Sequence, residues 1–232
     1  MWGVLTTLLY AAGASLPLLA GAIVGVLWKR PPKRVTAVAM AFAAGALISA
    51  VSFELFEESY TNGGAWRAGL GFAAGAAVFV VIDTALEKAG SGNPTGWVLL
   101  AAVTLDGIPE NTALGVSLNG SASLALLVAI FVSNFPEALV GAVSMRTAGR
   151  SARGTVGLWA GATALLAVAV VAGRLAFANA SPEQLALPLA FAAGAVLASV
   201  IDTLAPEAFR DGGPAVALAS AAGFFVAFML SV

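Results

Sequence analysis

Apolar residues run along this chain in eight long stretches, each closed by a short polar or turn-forming break. The stretches cover about residues 3–28, 35–58, 65–87, 96–118, 122–145, 154–178, 187–207 and 214–232. Each is near the ~20 residues that an α-helix needs to cross a hydrocarbon core of ~30 Å. The breaks carry turn chemistry: Pro31-Pro32, Asn62-Gly63-Gly64, Ser91-Gly92-Asn93-Pro94, Asn119-Gly120, Ser181-Pro182 and Gly212-Gly213-Pro214. The pattern predicts an all-α polytopic membrane protein of eight transmembrane helices. No loop is long enough for a second fold, so residues 1–232 read as a single transmembrane domain.

Composition agrees with this class. Sixty per cent of the residues are hydrophobic and only ten per cent charged, which excludes an ordinary soluble domain and makes a nucleic-acid partner unexpected. The first apolar run lacks a basic leader and continues to Trp28, so it reads as a spanning helix and not a cleaved signal peptide. Cysteine and histidine are both absent, which removes disulfides and thiolate or imidazole metal ligands. No bound cofactor is expected.

Charge distribution predicts orientation. Lys29, Arg30, Lys33, Arg34, Lys88, Arg146, Arg150, Arg153 and Arg210 follow odd-numbered spans, whereas only Arg67 and Arg174 lie on the other side. The positive-inside rule then puts the odd loops in the cytoplasm and both termini outside it, as expected for a prokaryotic inner (plasma) membrane. The basic runs at 29–34 and 146–153 suit anionic lipid head groups. Small residues four apart, as at Gly21 and Gly25, Gly71 and Gly75, or Gly157 and Gly161, allow close helix approach and are compatible with a homodimer.

The sequence also repeats. Ala41-Phe42-Ala43-Ala44-Gly45-Ala46 in span two recurs as Ala190-Phe191-Ala192-Ala193-Gly194-Ala195 in span seven, and Phe72-Ala73-Ala74-Gly75-Ala76 appears in span three. Val81-Ile82-Asp83-Thr84 likewise matches Val200-Ile201-Asp202-Thr203. Spans two and seven cross in opposite directions, which predicts inverted repeats of three helices around a central pair of helices four and five. The alternative is that alanine-rich helices resemble one another by composition alone.

Two Pro-Glu elements interrupt this apolar background: Asp106-Gly107-Ile108-Pro109-Glu110-Asn111 in span four and Ser133-Asn134-Phe135-Pro136-Glu137 in span five. An ionisable group at a helix centre costs about 2.5–3.5 kcal/mol to insert, so it normally faces a partner, a cavity or a substrate path. Each proline also frees the carbonyl four residues earlier, here Leu105 and Val132. Asp106 and Glu110 share one helix face, as do Ser133 and Glu137, and Asn111 and Asn134 stand one residue further round. Together these oxygens suit a cation, which three neighbouring carboxylates need for neutralisation unless protons take its place. The other reading makes the acids protonated, hydrogen-bonded glue at two kinks. Glu54 at the end of span two, and Asp83, Asp202 and Glu207 in spans three and seven, are candidates for lining a pathway, with solvated helix ends as the alternative.

With eight spans, Phe-Ala-Ala-Gly in spans two and seven and doubled Pro-Glu elements in spans four and five, the chain resembles the ZIP (Zrt/Irt-like) family of divalent metal transporters. The resemblance covers essentially the whole chain and implies uptake of zinc, iron or manganese toward the cytoplasm. It also implies that Glu110 and Glu137 match the family's metal-binding glutamates, that Asp106 takes the place of a histidine, and that Ser133 and Asn134 match the polar pair before Pro-Glu. The chain departs from the pattern in reading Asp-Gly where the family has His-Asn, and in offering only oxygen donors. Such a set suits manganese, magnesium or calcium by ligand type while still accepting zinc or iron(II). The expected function is therefore alternating-access transport of a divalent cation held by Asp106, Glu110, Asn111, Ser133, Asn134 and Glu137. The alternative is a carrier or sensor of the same form that handles a proton, another cation or a small solute. No Ser-His or Cys-His arrangement and no nucleotide loop points to an enzyme.

Overall fold

The computed structural model describes residues 2–28, 31–90, 96–120 and 122–232, and the side chains of Trp2 and of residues 89–90 and 96–103 lie outside the description. Lys29, Arg30 and the expected turn at 91–94 fall outside it as well. The described residues form helices α1 (Trp2–Leu27), α2 (Lys33–Ala50), α3 (Glu57–Gly90), α4 (Gly96–Ser117) and α5 (Leu124–Thr147), then α6 (Ala152–Ala176), α7 (Pro182–Ser199), α8 (Ala205–Gly212) and α9 (Ala215–Ser231). Two π-helical segments, Val51–Phe56 and Val200–Leu204, join α2 to α3 and α7 to α8.

Among the described residues five lengths are long and apolar enough to cross a bilayer: Gly3–Leu27, Lys33–Lys88, Leu124–Thr147, Ala152–Ala176 and Pro182–Gly212. The chain is thus a polytopic helical membrane protein. The second length runs over 56 residues, more than one crossing needs, and is broken at Gly64, whose φ of 71° and ψ of 171° are non-helical. A left-handed backbone of that kind is routine only for glycine. The expected turn at 62–64 is therefore carried by Gly64 alone. One expected boundary moves further: span seven begins at Pro182, not near 187. Ser181 and Gln184 form a reciprocal capping box there, with proline in the first turn, so the residues read as a turn are a helix start.

The most extensive contacts join α3 to α7, α1 to α5, α2 to α9 and α4 to α6, with α1 also against α6. The helices consequently form two groups, α1, α4, α5, α6 and α2, α3, α7, α9. Glycines seal each group. A Cβ on Gly45 would strike the Ser220 carbonyl and one on Gly223 the Phe42 carbonyl; Gly75 and Gly194 meet Phe191 and Phe72 in the same way. In the other group Gly115 and Gly173 face the carbonyls of Val170 and Thr112, and Gly21 and Gly25 those of Phe135 and Leu139. Backbones this close gain dispersion contact that lipid cannot replace. Among the described helices, each of these crossings lies within a group. Helices α4 and α5 were expected as a central pair; each instead packs mainly on α6 or α1 and touches the other only locally.

Candidate functional site

Both prolines lie inside their helices, Pro109 in α4 and Pro136 in α5, so the carbonyls of Leu105 and Val132 lose their normal helical donors. Around them Glu110, Asn111, Ser133 and Asn134 are buried, while Asp106 and Glu137 are half-buried. Glu110 interacts electrostatically with Asp106, and Glu137 with both, so the structure brings the three carboxylates of the two Pro-Glu elements into one neighbourhood. None of the three enters an ion pair with lysine or arginine among the described residues. A buried carboxylate without a basic partner needs a proton or a cation for neutrality.

The amides are positioned by the backbone. Asn111 donates its Nδ2 to the Gly107 carbonyl one turn back, at 2.8 Å, and its fully buried Oδ1 meets no donor. A buried acceptor left unpaired costs about 1–3 kcal/mol, so this oxygen is available to a ligand. Asn134 donates to the Ala14 carbonyl of α1 at 2.7 Å, which ties α5 to α1 and fixes the amide plane. Ser133 gives its hydroxyl proton to the Ile130 carbonyl at 3.0 Å and keeps its lone pairs. Among the described residues no three acidic side chains converge closely enough to hold one metal ion by themselves. A cation here would have to take uncharged amide, hydroxyl or carbonyl oxygens alongside carboxylates, the mixed hard-oxygen coordination that manganese, magnesium and calcium accept.

The pathway candidates separate into three places. Asp83 of α3 and Asp202 of the second π-helical segment stand side by side and lie within electrostatic range of Asp106. Glu207 of α8 acts instead on Glu137. Glu54 stands beside Glu58 at the far end of span two. A cavity of about 620 Å³ opens between α2, α5 and α8, and Val140 and Ser144 in its wall follow Glu137 along the same face of α5.

Sequence reasoning missed Ser199, whose side chain stands beside Asp106 from the last turn of α7. It also missed the π-helical segments. Their signal was present: Val51 and Val200 each stand nine residues after the phenylalanine of the Phe-Ala-Ala-Gly repeat, and Glu58 and Glu207 each stand sixteen after it. Such insertions recur at functional sites because they widen a helix turn and redirect side chains.

No family model matches the chain. Over 200 residues, 81% of its length, it is 31% identical to an Arabidopsis thaliana protein described as "Putative zinc transporter". The chain spans about a third of that relative's length, 32%.

Proposed function

We propose that this chain is a ZIP-like carrier of divalent metal cations, with eight membrane spans and both termini outside the cytoplasm. The observation that carries the reading is the set of three carboxylates, Asp106, Glu110 and Glu137, that neighbour one another without a basic partner and share their surroundings with the unpaired oxygen of Asn111. The likeness to a protein described as a "Putative zinc transporter" supports transport over catalysis. Asp106, Glu110 and Glu137 supply charge, and Asn111, Ser133 and Asn134 supply neutral oxygens.

The packing supports inverted repeats. Exchanging span one with six, two with seven, three with eight and four with five converts the α3–α7 contact into α9–α2, and α1–α5 into α6–α4. Those four contacts are the most extensive among the described helices, and they come in matched pairs. Break Lys33–Lys88 at Gly64, count α4 and α9, and eight spans result. All six proposed ligands sit on α4 and α5, in the group with α1 and α6. Alternating access then follows from sliding this group against α2, α3, α7 and α9, since the glycine crossings bind each group internally and leave the boundary between them looser.

Thermal unfolding of the purified protein across manganese, zinc, iron(II) and magnesium tests the reading, beside a Glu110→Ala, Glu137→Ala variant. Ligand bound only to the folded state stabilises by about 2.7 kcal/mol at a hundredfold excess over Kd. One metal should raise the midpoint of the native chain and leave that of the variant unmoved. Folded protein that responds to no metal, with no uptake into liposomes, would move the assignment to a proton or solute carrier.

A further inference from the structure

One turn beyond Glu137 along α5, at Val140, begins the wall of a cavity that holds a charge network which binding at the central acids does not use. Glu207 lines the cavity between α2, α5 and α8 and interacts electrostatically with Glu137, whose helix α5 supplies Val140 and Ser144 to the cavity wall. Its side chain is 35% exposed. One turn on, Arg210 reaches back so that its Nη2 lies 3.6 Å from Glu207 Oε1 and 3.6 Å from Asp211 Oδ2. Lys33, from the start of α2, stands with its Nζ 3.8 Å from Asp211 Oδ1. All four residues line the cavity. Two acids and two bases thus cancel at its mouth, whereas the three acids further in have no base among the described residues.

That difference has a physical consequence for release. A divalent ion leaving Glu137 meets Glu207 next. Without a competing cation, a half-buried carboxylate close to a second carboxylate would retain the ion, and release would limit turnover. Arg210 is such a competitor, held by one helical turn and free enough in solvent to swing aside.

We propose that Arg210 is a tethered counter-ion of the exit, which occupies Glu207 between transport events, yields to the cation arriving from Glu137 and expels it on returning. Lys33 holds Asp211, so that the arginine's second carboxylate stays in place as its resting partner. The inference rests on the transport reading above and adds to it a residue that sets release. It places the rate-governing charge on α8, a helix separate from α4 and α5, which carry the central acids.

The test uses the full chain in liposomes loaded with a fluorescent chelator, with Mn²⁺ and then Zn²⁺ as the probe ion. The variants are Arg210→Gln, Arg210→Lys, Glu207→Gln and the Arg210→Gln, Glu207→Gln pair, all of which leave Asp106, Glu110 and Glu137 unaltered. Arg210→Gln should lower the maximal uptake rate about fivefold while tightening half-saturation by a similar factor, the size expected of a half-exposed charge pair. Lysine at 210 should restore most of the rate, and so should adding Glu207→Gln to Arg210→Gln, because both remove the trap. Equilibrium Mn²⁺ binding to the detergent-solubilised Arg210→Gln variant should tighten in step. A normal rate in Arg210→Gln, or a slow rate that persists in the pair, overturns the inference and leaves transport standing. A native chain that neither takes up nor binds either ion overturns both.

Discussion

At the scale of single residues, the informative feature is an imbalance of donors and acceptors. Asn111 gives its amide proton to Gly107 and keeps an oxygen with no partner, in a place with no solvent exposure. Asn111→Leu keeps the volume and removes the orphan. Unfolding measured without metal should be unchanged or up to about 1–3 kcal/mol more favourable to the folded state. Stabilisation by added metal should fall by an amount that a matching Asn111→Asp variant restores. A native-like metal response in Asn111→Leu would remove the amide from the coordination set. Asn134 differs because its amide also ties α5 to α1, so Asn134→Ala should cost stability with and without metal.

At the scale of elements, two kinds of glycine act differently. Gly64 has open space where a Cβ would stand, and only its positive φ demands glycine. Gly64→Ala should therefore cost about 1 kcal/mol, the penalty of a strained backbone without a clash. Gly75 has ordinary helical geometry but touches the Phe191 carbonyl. Gly75→Leu has to push α3 off α7 and should cost about 1–3 kcal/mol or more. Thermal midpoints of the two variants in one detergent compare them directly. Equal losses would show that the crossing yields more easily than its geometry implies. The paired π-helical segments belong to this scale too, because each turns one helix at the same distance beyond its Phe-Ala-Ala-Gly crossing.

At the scale of the whole molecule, the two helix groups make a prediction about motion. The chain has no cysteine, so introduced pairs react without background. Cysteines at Thr36 and Ser144 stand in opposite walls of the cavity between the groups, and a short bis-maleimide across them should abolish uptake. Cysteines at Ser15 and Thr163 lie within one group, in the walls of the cavity between α1 and α6. A bond there should leave uptake intact. Flux that survives the first bridge would exclude sliding between the groups.

What the chain alone determined was whatever depends on composition and local period. Long apolar runs can satisfy their backbone in lipid only as helices, so class, approximate spans and the break at 62–64 were legible without coordinates. The Pro-Glu elements were legible for the same reason, since a carboxylate in such a run is conspicuous. Tertiary structure decided everything that depends on who stands opposite whom. It put Ser199 on Asp106 and Glu207 beside Glu137, gave Asn134 to Ala14, and paired α4 with α6 and α5 with α1 where helices four and five were expected to pair with each other. Helix period says which residues share a face, but which face meets which neighbour is set by the close fit of glycine against carbonyl across distant parts of the chain. That fit has no local signature beyond small residues spaced four apart, and Gly157 and Gly161 share the spacing although a Cβ at either would meet nothing within 4 Å.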